Sequence, residues 1–97
     1  MQIEKKIEDG ILTLKISGRL DTNTSPQLEA EIPQTDLSGI VFDLSGTEYM
    51  SSAGLRVLLG AQKRMIACGG SMRILSPNAT VREVFDITGC SSIFTIE

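Results

Sequence analysis

Ser51 and Ser52 stand side by side, followed by Ala53 and Gly54. Beyond them Leu55, Leu58, Leu59, Gln62 and Met65 recur at three- and four-residue spacings. That recurrence predicts a helix of about four turns, with the serines at its start. The first N–H groups of a helix lack intrahelical partners and carry the positive end of its dipole. A serine hydroxyl there has two chemical uses. It can accept from a free N–H and cap the helix, a contribution of about 1 kcal/mol. It can also carry a phosphate, whose charge of about −1.5 to −2 is stabilised there without unfolding the domain. Pattern alone leaves both uses open for Ser52, and Ser51 competes for each. Arg56 lies one turn past Ser52 and is placed to pair with a phosphate, while Glu48 gives the serine loop a second charge. Ala53 and Gly54 leave room for a partner backbone or a nucleotide, or simply make a tight loop.

A second polar cluster, Asp21, Thr22, Asn23 and Thr24, precedes Ser25-Pro26. These residues either face a ligand or stabilise the turn before a helix. Asp43 interrupts an apolar run and has Ser45 as a candidate hydroxyl partner. Other chemistries are excluded by what is missing. The chain has no histidine, so Ser-His and Cys-His nucleophile arrangements are ruled out. An enzyme would need Lys, Asp or Glu as its base. Cys68 and Cys90 form no CxxC pair and read as free thiols; no metal site is expected. Lys63 and Arg64 fall inside the helix, so the serine loop is not a GxxxxGK[ST] phosphate loop, and no cofactor is assigned.

The elements that would position these residues follow from periodicity. Residues 3–8 and 11–17 read as an antiparallel hairpin about Asp9-Gly10, with Gly18 closing the second strand. Ser25 as N-cap and Pro26 at the first helical position begin a short helix that Pro33 ends. Residues 35–38 form a connector. Residues 39–45 are a near-continuous apolar run, as expected of a parallel strand covered on both faces, and residues 46–50 lead as a loop into the serines. Gly69-Gly70 stops the long helix. A short strand spans 72–75. Asn78 then caps a helix carrying Val81, Val84, Phe85 and Thr88, with Gly89 just past its end. Residues 93–96 form a last strand or extended tail. The expected order is β-β-α-β-α-β-α-β: one α/β domain over residues 1–97, with a mixed, mostly parallel sheet and three to four helices. Loops after parallel strands gather at the carboxyl edge of the sheet, so the Asp21 and Ser52 loops are expected to share a surface.

Composition agrees with one soluble domain. Ninety-seven residues with 41% hydrophobic and 22% charged content support a single core, built mainly from aliphatic side chains since aromatics are 4%. A net charge of −3 offers no basic footprint for direct nucleic-acid binding. No run reaches membrane-span length and the N-terminus has no signal-type apolar core, so a cytoplasmic location is expected.

Three stretches, GRLDTNTSPQL at 18–28, IVFDLSGTEYMSSAGLRVLLG at 40–60 and ILSPNATVREVFDIT at 74–88, together resemble STAS domains, and in particular bacterial anti-sigma factor antagonists. The resemblance covers nearly the whole chain. It implies partner switching: the unphosphorylated antagonist binds an anti-sigma factor that is also a serine kinase and frees the sigma factor. Phosphorylation separates the complex, and a phosphatase resets it. Matching through Tyr49, Met50, Gly54 and Leu55 puts Ser52 at the phosphorylated position. Ser51 stands where the family has an Asp and is the second-choice acceptor. Asp21 matches the family's Asp in the loop before the first helix. The implied partner surface is Asp21, Thr22 and Asn23 on one loop and Ser51, Ser52, Ala53, Gly54, Leu55 and Arg56 on the other. The alternative is an interaction module that is not phosphorylated, a subunit of a lipid-transport or signalling assembly. Monomer and weak dimer are both compatible with the sequence.

Overall fold

The computed structural model describes residues 1–34 and 36–97. The runs read as strands become β1 (Gln2–Glu8), β2 (Ile11–Leu20), β3 (Gly39–Met50) and β4 (Ser71–Leu75). The short helix after Ser25-Pro26 becomes α1 (Ser25–Ala30), and the three- and four-residue spacings become α2 (Ser52–Cys68) and α3 (Ala79–Thr88). A 3₁₀ turn at Cys90–Ser92 follows. The sheet order is β1-β2-β3-β4. β1 and β2 are antiparallel; β2, β3 and β4 are parallel. Asp9 and Gly10 both take positive φ, 52° and 78°, the backbone that a tight two-residue hairpin turn requires.

Three helix ends carry the capping residue expected of them. Asn78 caps α3, and Gly69 and Gly89 end α2 and α3 in the left-handed conformation. The start of α1 differs. Ser25 is its first residue, not its cap, and Thr24 at the cap position makes no side-chain capping bond. Ser25 instead turns its Oγ to donate to the Asp21 carbonyl at 2.5 Å.

The sheet corrects four expectations. β2 does not stop at Gly18 but continues to Leu20, and residues 46–50 are strand, not loop. The cause is a pair of register shifts, after Lys15 and after Gly18, that insert extra residues into β3. Gly18 takes φ 100°, and a Cβ on Gly46 would sit 2.6 Å from Ser17 Oγ. Small and hydroxyl residues here build bulges where the pattern suggests a loop. Third, β3 is covered on one face only. Leu12, Leu14, Ile16, Ile40, Phe42, Leu44, Met72 and Ile74 are buried on one side, in one core with Leu28 of α1, Leu58 and Met65 of α2, and Val81 and Phe85 of α3. The other side carries Thr13, Lys15, Asp43 and Arg73, cross-strand neighbours with Val41 among them. Val41 is nevertheless only 9% exposed, consistent with the aliphatic stems of long charged neighbours lying over it.

Fourth, the last strand of the expected order does not form among the described residues. Residues 93–96 make a single bridge, Ile74 to Ile96, because Phe94 is pulled inward to pack edge-on against Phe85 at 5.3 Å. The tail still bonds to the edge of β4: Ile74 N–H donates to Thr95 O and Glu97 N–H to Ile74 O. Arg73 grips Glu97 through two hydrogen bonds of 2.6 and 2.8 Å. Of the expected connector 35–38, Thr35 lies outside the described residues; Ser38 donates its N–H to Gly10 O at 2.7 Å. No helix is long and apolar enough to cross a membrane among the described residues.

Candidate functional site

The two polar loops meet where β2 and β3 end together. Leu20 pairs with Met50, and Ser51 N–H donates to Leu20 O at 2.9 Å. The chain then continues to the Asp21 loop from β2 and to α2 from β3. The Asp21 carboxylate folds back onto its own loop, with Oδ1 accepting from Asn23 N–H at 2.9 Å and Thr24 N–H at 3.1 Å. Above all the Thr24 N–H, and after it Asn23 and Arg19, hold this carboxyl below the ordinary aspartate range. Asp21 therefore shapes the turn while remaining ionised at the surface.

The structure divides the two serines. Ser51 is the N-cap of α2, with extended backbone and Oγ accepting from Gly54 N–H. That bond is long, 3.5 Å. Ser52 is the first helical residue and is exposed. Its hydroxyl makes no hydrogen bond among the described residues. Gly54 and Leu55, expected in the partner surface, face the interior: both are buried. A Cβ on Gly54 would stand 2.7 Å from Leu20 Cγ and 3.0 Å from Leu20 O. The glycine thus lets the first turn of α2 lie directly on the end of β2. Ala53 is half-buried and Arg56 exposed.

Beside the serines, α1 and α2 enclose an open groove of about 400 Å³, lined by Thr22 and Glu29 on one side and Ala53, Arg56 and Gly60 on the other. Thr22, Ala53 and Arg56 are sequence-derived candidates; Glu29 and Gly60 are additions. Gly60 had a signal. A glycine inside a helix costs about 1 kcal/mol against alanine, and here nothing lies within 4 Å of where its Cβ would be. A second addition is Arg19, whose guanidinium stacks 4.4 Å from the Tyr49 ring centroid and lies 3.9 Å from Asp21 Oδ2. This pair depends on strand register and leaves no mark in linear spacing. Asp43 lies apart from the site, on the open face of the sheet. Its Oδ1 accepts from the backbone N–H of Ser45 at 3.0 Å, which chiefly holds its pKa down. Glu48 is a strand residue whose carbonyl faces Asn78 Nδ2 at 3.5 Å. Cys68 and Cys90 are free thiols. The described residues contain no group of three or more potential metal ligands.

An α/β sheet with one open face, two β–α loops at its carboxyl edge and an uncommitted helix-start serine defines the class, and sequence comparison agrees. The STAS domain model matches residues 2–97, so the chain belongs to the STAS domain family. Within that family it is similar to an anti-sigma F factor antagonist of Paenibacillus polymyxa, 33% identical over 100 residues that cover 99% of this chain and 86% of the relative. The fold is that of the anti-sigma factor antagonist SpoIIAA in its unphosphorylated form, with a TM-score of 0.86 at 23% identity over 99% of this chain and 88% of that one. SpoIIAA from Bacillus in its phosphorylated form gives 0.79 at 22% identity, covering 99% and 91%. These antagonists are regulatory proteins, not enzymes.

Proposed function

We propose that this chain is a cytoplasmic anti-sigma factor antagonist switched at Ser52. Unphosphorylated, it binds an anti-sigma factor with serine kinase activity through the loop surface of Asp21, Thr22, Asn23, Ser51, Ser52, Ala53 and Arg56, and so releases a sigma factor. Gly54 and Leu55 act beneath that surface, holding α2 against β2. The kinase transfers the γ-phosphoryl group of ATP to Ser52 Oγ; ADP leaves and the hydroxyl proton is lost. The resulting dianion lies inside the contact surface. Like-charge or unpaired burial there costs several kcal/mol, and each 1.4 kcal/mol is about tenfold in affinity. A phosphatase restores the binding form. The chain itself contacts no nucleic acid.

One observation carries this reading: the division of labour between the serines. Ser51 uses its oxygen to cap α2, whereas the Ser52 hydroxyl is exposed and unbonded. A phosphoryl acceptor must be reachable without dismantling the fold, and Ser52 meets that condition. The similarity to anti-sigma factor antagonists supports the partner class. The test is incubation with the cognate anti-sigma kinase and ATP, followed by fragmentation mass spectrometry of the tryptic peptide from Leu20 to Arg56. The phosphate is expected on Ser52. Its appearance on Ser51, at another residue or nowhere overturns the assignment.

A further inference from the structure

We infer that Arg56 is the internal partner of phosphorylated Ser52, so that the modification also withdraws Arg56 from the α1–α2 groove. This rests on the Ser52 reading above. Ser52 is the first residue of α2 and Arg56 stands four residues on. Such positions share a helix face, with Cβ atoms about 5–6 Å apart. Long helical side chains lean back toward the N-terminus, the direction in which Ser52 lies from Arg56. Acid before base along the chain is the favourable order for this spacing.

Arg56 is also uncommitted. Arg73 is held by Glu97, and Arg19 lies over Tyr49 and near Asp21. Arg56 is exposed and makes no hydrogen bond or ion pair among the described residues. Glu29 of α1 lines the same groove and carries one charge; a phosphate on Ser52 carries nearly two, with three acceptor oxygens. The planar guanidinium matches phosphate in a bidentate pair. In the unmodified protein Arg56 is therefore a cation offered at the groove to an acidic feature of the partner. In the modified protein the phosphate occupies it. The switch subtracts an attractive charge as well as adding a repulsive one.

The test needs no kinase. Phosphoserine is placed at position 52 by genetic-code expansion, and its second ionisation, ordinarily near pH 6, is followed by phosphorus NMR at low salt. The helix start and the neighbouring charges (Glu29 on α1, Arg64 on α2, Asp21 in its loop) are common to every variant, so differences isolate Arg56. Arg56→Gln should raise the midpoint by roughly 0.3–0.7 unit, and Arg56→Lys by less. Coincident midpoints for the native and Arg56→Gln proteins overturn the pairing. If the kinase marks a residue other than Ser52, the switch assignment fails while a measured shift in this titration still establishes the pairing.

Discussion

Ser51 and Asn78 hold equivalent posts. Each caps a helix that follows a parallel strand, and each has extended backbone, with ψ of 174° and 175°. Their bonding differs. Asn78 Oδ1 accepts from Val81 N–H at 2.8 Å, while its Nδ2 donates to Thr47 O at 3.1 Å. One side chain thus closes the start of α3 and ties it to β3. Ser51 has a single short oxygen, 3.5 Å from Gly54 N–H, and the hydroxyl after it is unbonded. The amide of Asn78 spans two elements because it carries a donor and an acceptor. The α3 junction spends its hydrogen-bonding capacity on the fold. The α2 junction keeps some in reserve at the surface, which is what a modifiable contact site requires.

Four measurements test this contrast. The largest effect is expected at Ser52. Ser52→Asp should weaken binding to the anti-sigma factor by at least about tenfold, whereas Ser52→Ala should bind like the native chain by calorimetry. Equal affinities would remove the switch from the α2 start. Next, Gly54→Ala should destabilise the domain by about 1–3 kcal/mol in urea unfolding, because the new methyl meets the Leu20 backbone as well as its flexible end. Third, Asn78→Ala should cost about 1–2 kcal/mol and Ser51→Ala about half as much. Equal losses would mean that the two caps are not different in kind.

The smallest effect concerns acid. The Asp21 carboxyl is held low chiefly by the Thr24 N–H, and those of Asp43 and Glu97 chiefly by Ser45 N–H and by Arg73. A depressed folded-state pKa stabilises above the unfolded value, near 4, and that contribution is lost as pH falls through the folded value. Urea midpoints should therefore drop below about pH 4, and less steeply in Asp21→Asn. An unchanged slope in that variant would show that the β2–α1 turn does not depend on the carboxylate.

Much of this was legible in the sequence where one residue type has one strong local use. Asp9-Gly10 could only be a tight turn between strands, and Asn78 with Gly89 bracketed α3. The meeting of the Asp21 and serine loops followed from β–α succession. Residues 46–50 were misread because bulges employ the same Gly, Ser and Thr that loops do. The open sheet face was hidden because Ile40, Val41 and Phe42 look alike in a string, although Val41 alone of the three faces away from the helices. The choice between Ser51 and Ser52 is a matter of one residue of helix phase, finer than periodicity resolves. The groove arises from two helices distant in sequence, so only the glycine at position 60 hinted at it.

The C-terminal residues 95–97 have a consequence for how this molecule meets others. A sheet ordinarily offers two unpaired edges to any passing strand. Here the β4 side is already occupied by backbone bonds to Thr95 and Glu97, locked by Arg73, and the β1 side presents Glu4, Lys5, Lys6 and Glu8, all exposed. Neither border welcomes strand addition. Strand pairing at either border is thereby disfavoured, and the surface left for contacts includes the helix-and-loop end of the domain, where the Ser52 hydroxyl is exposed.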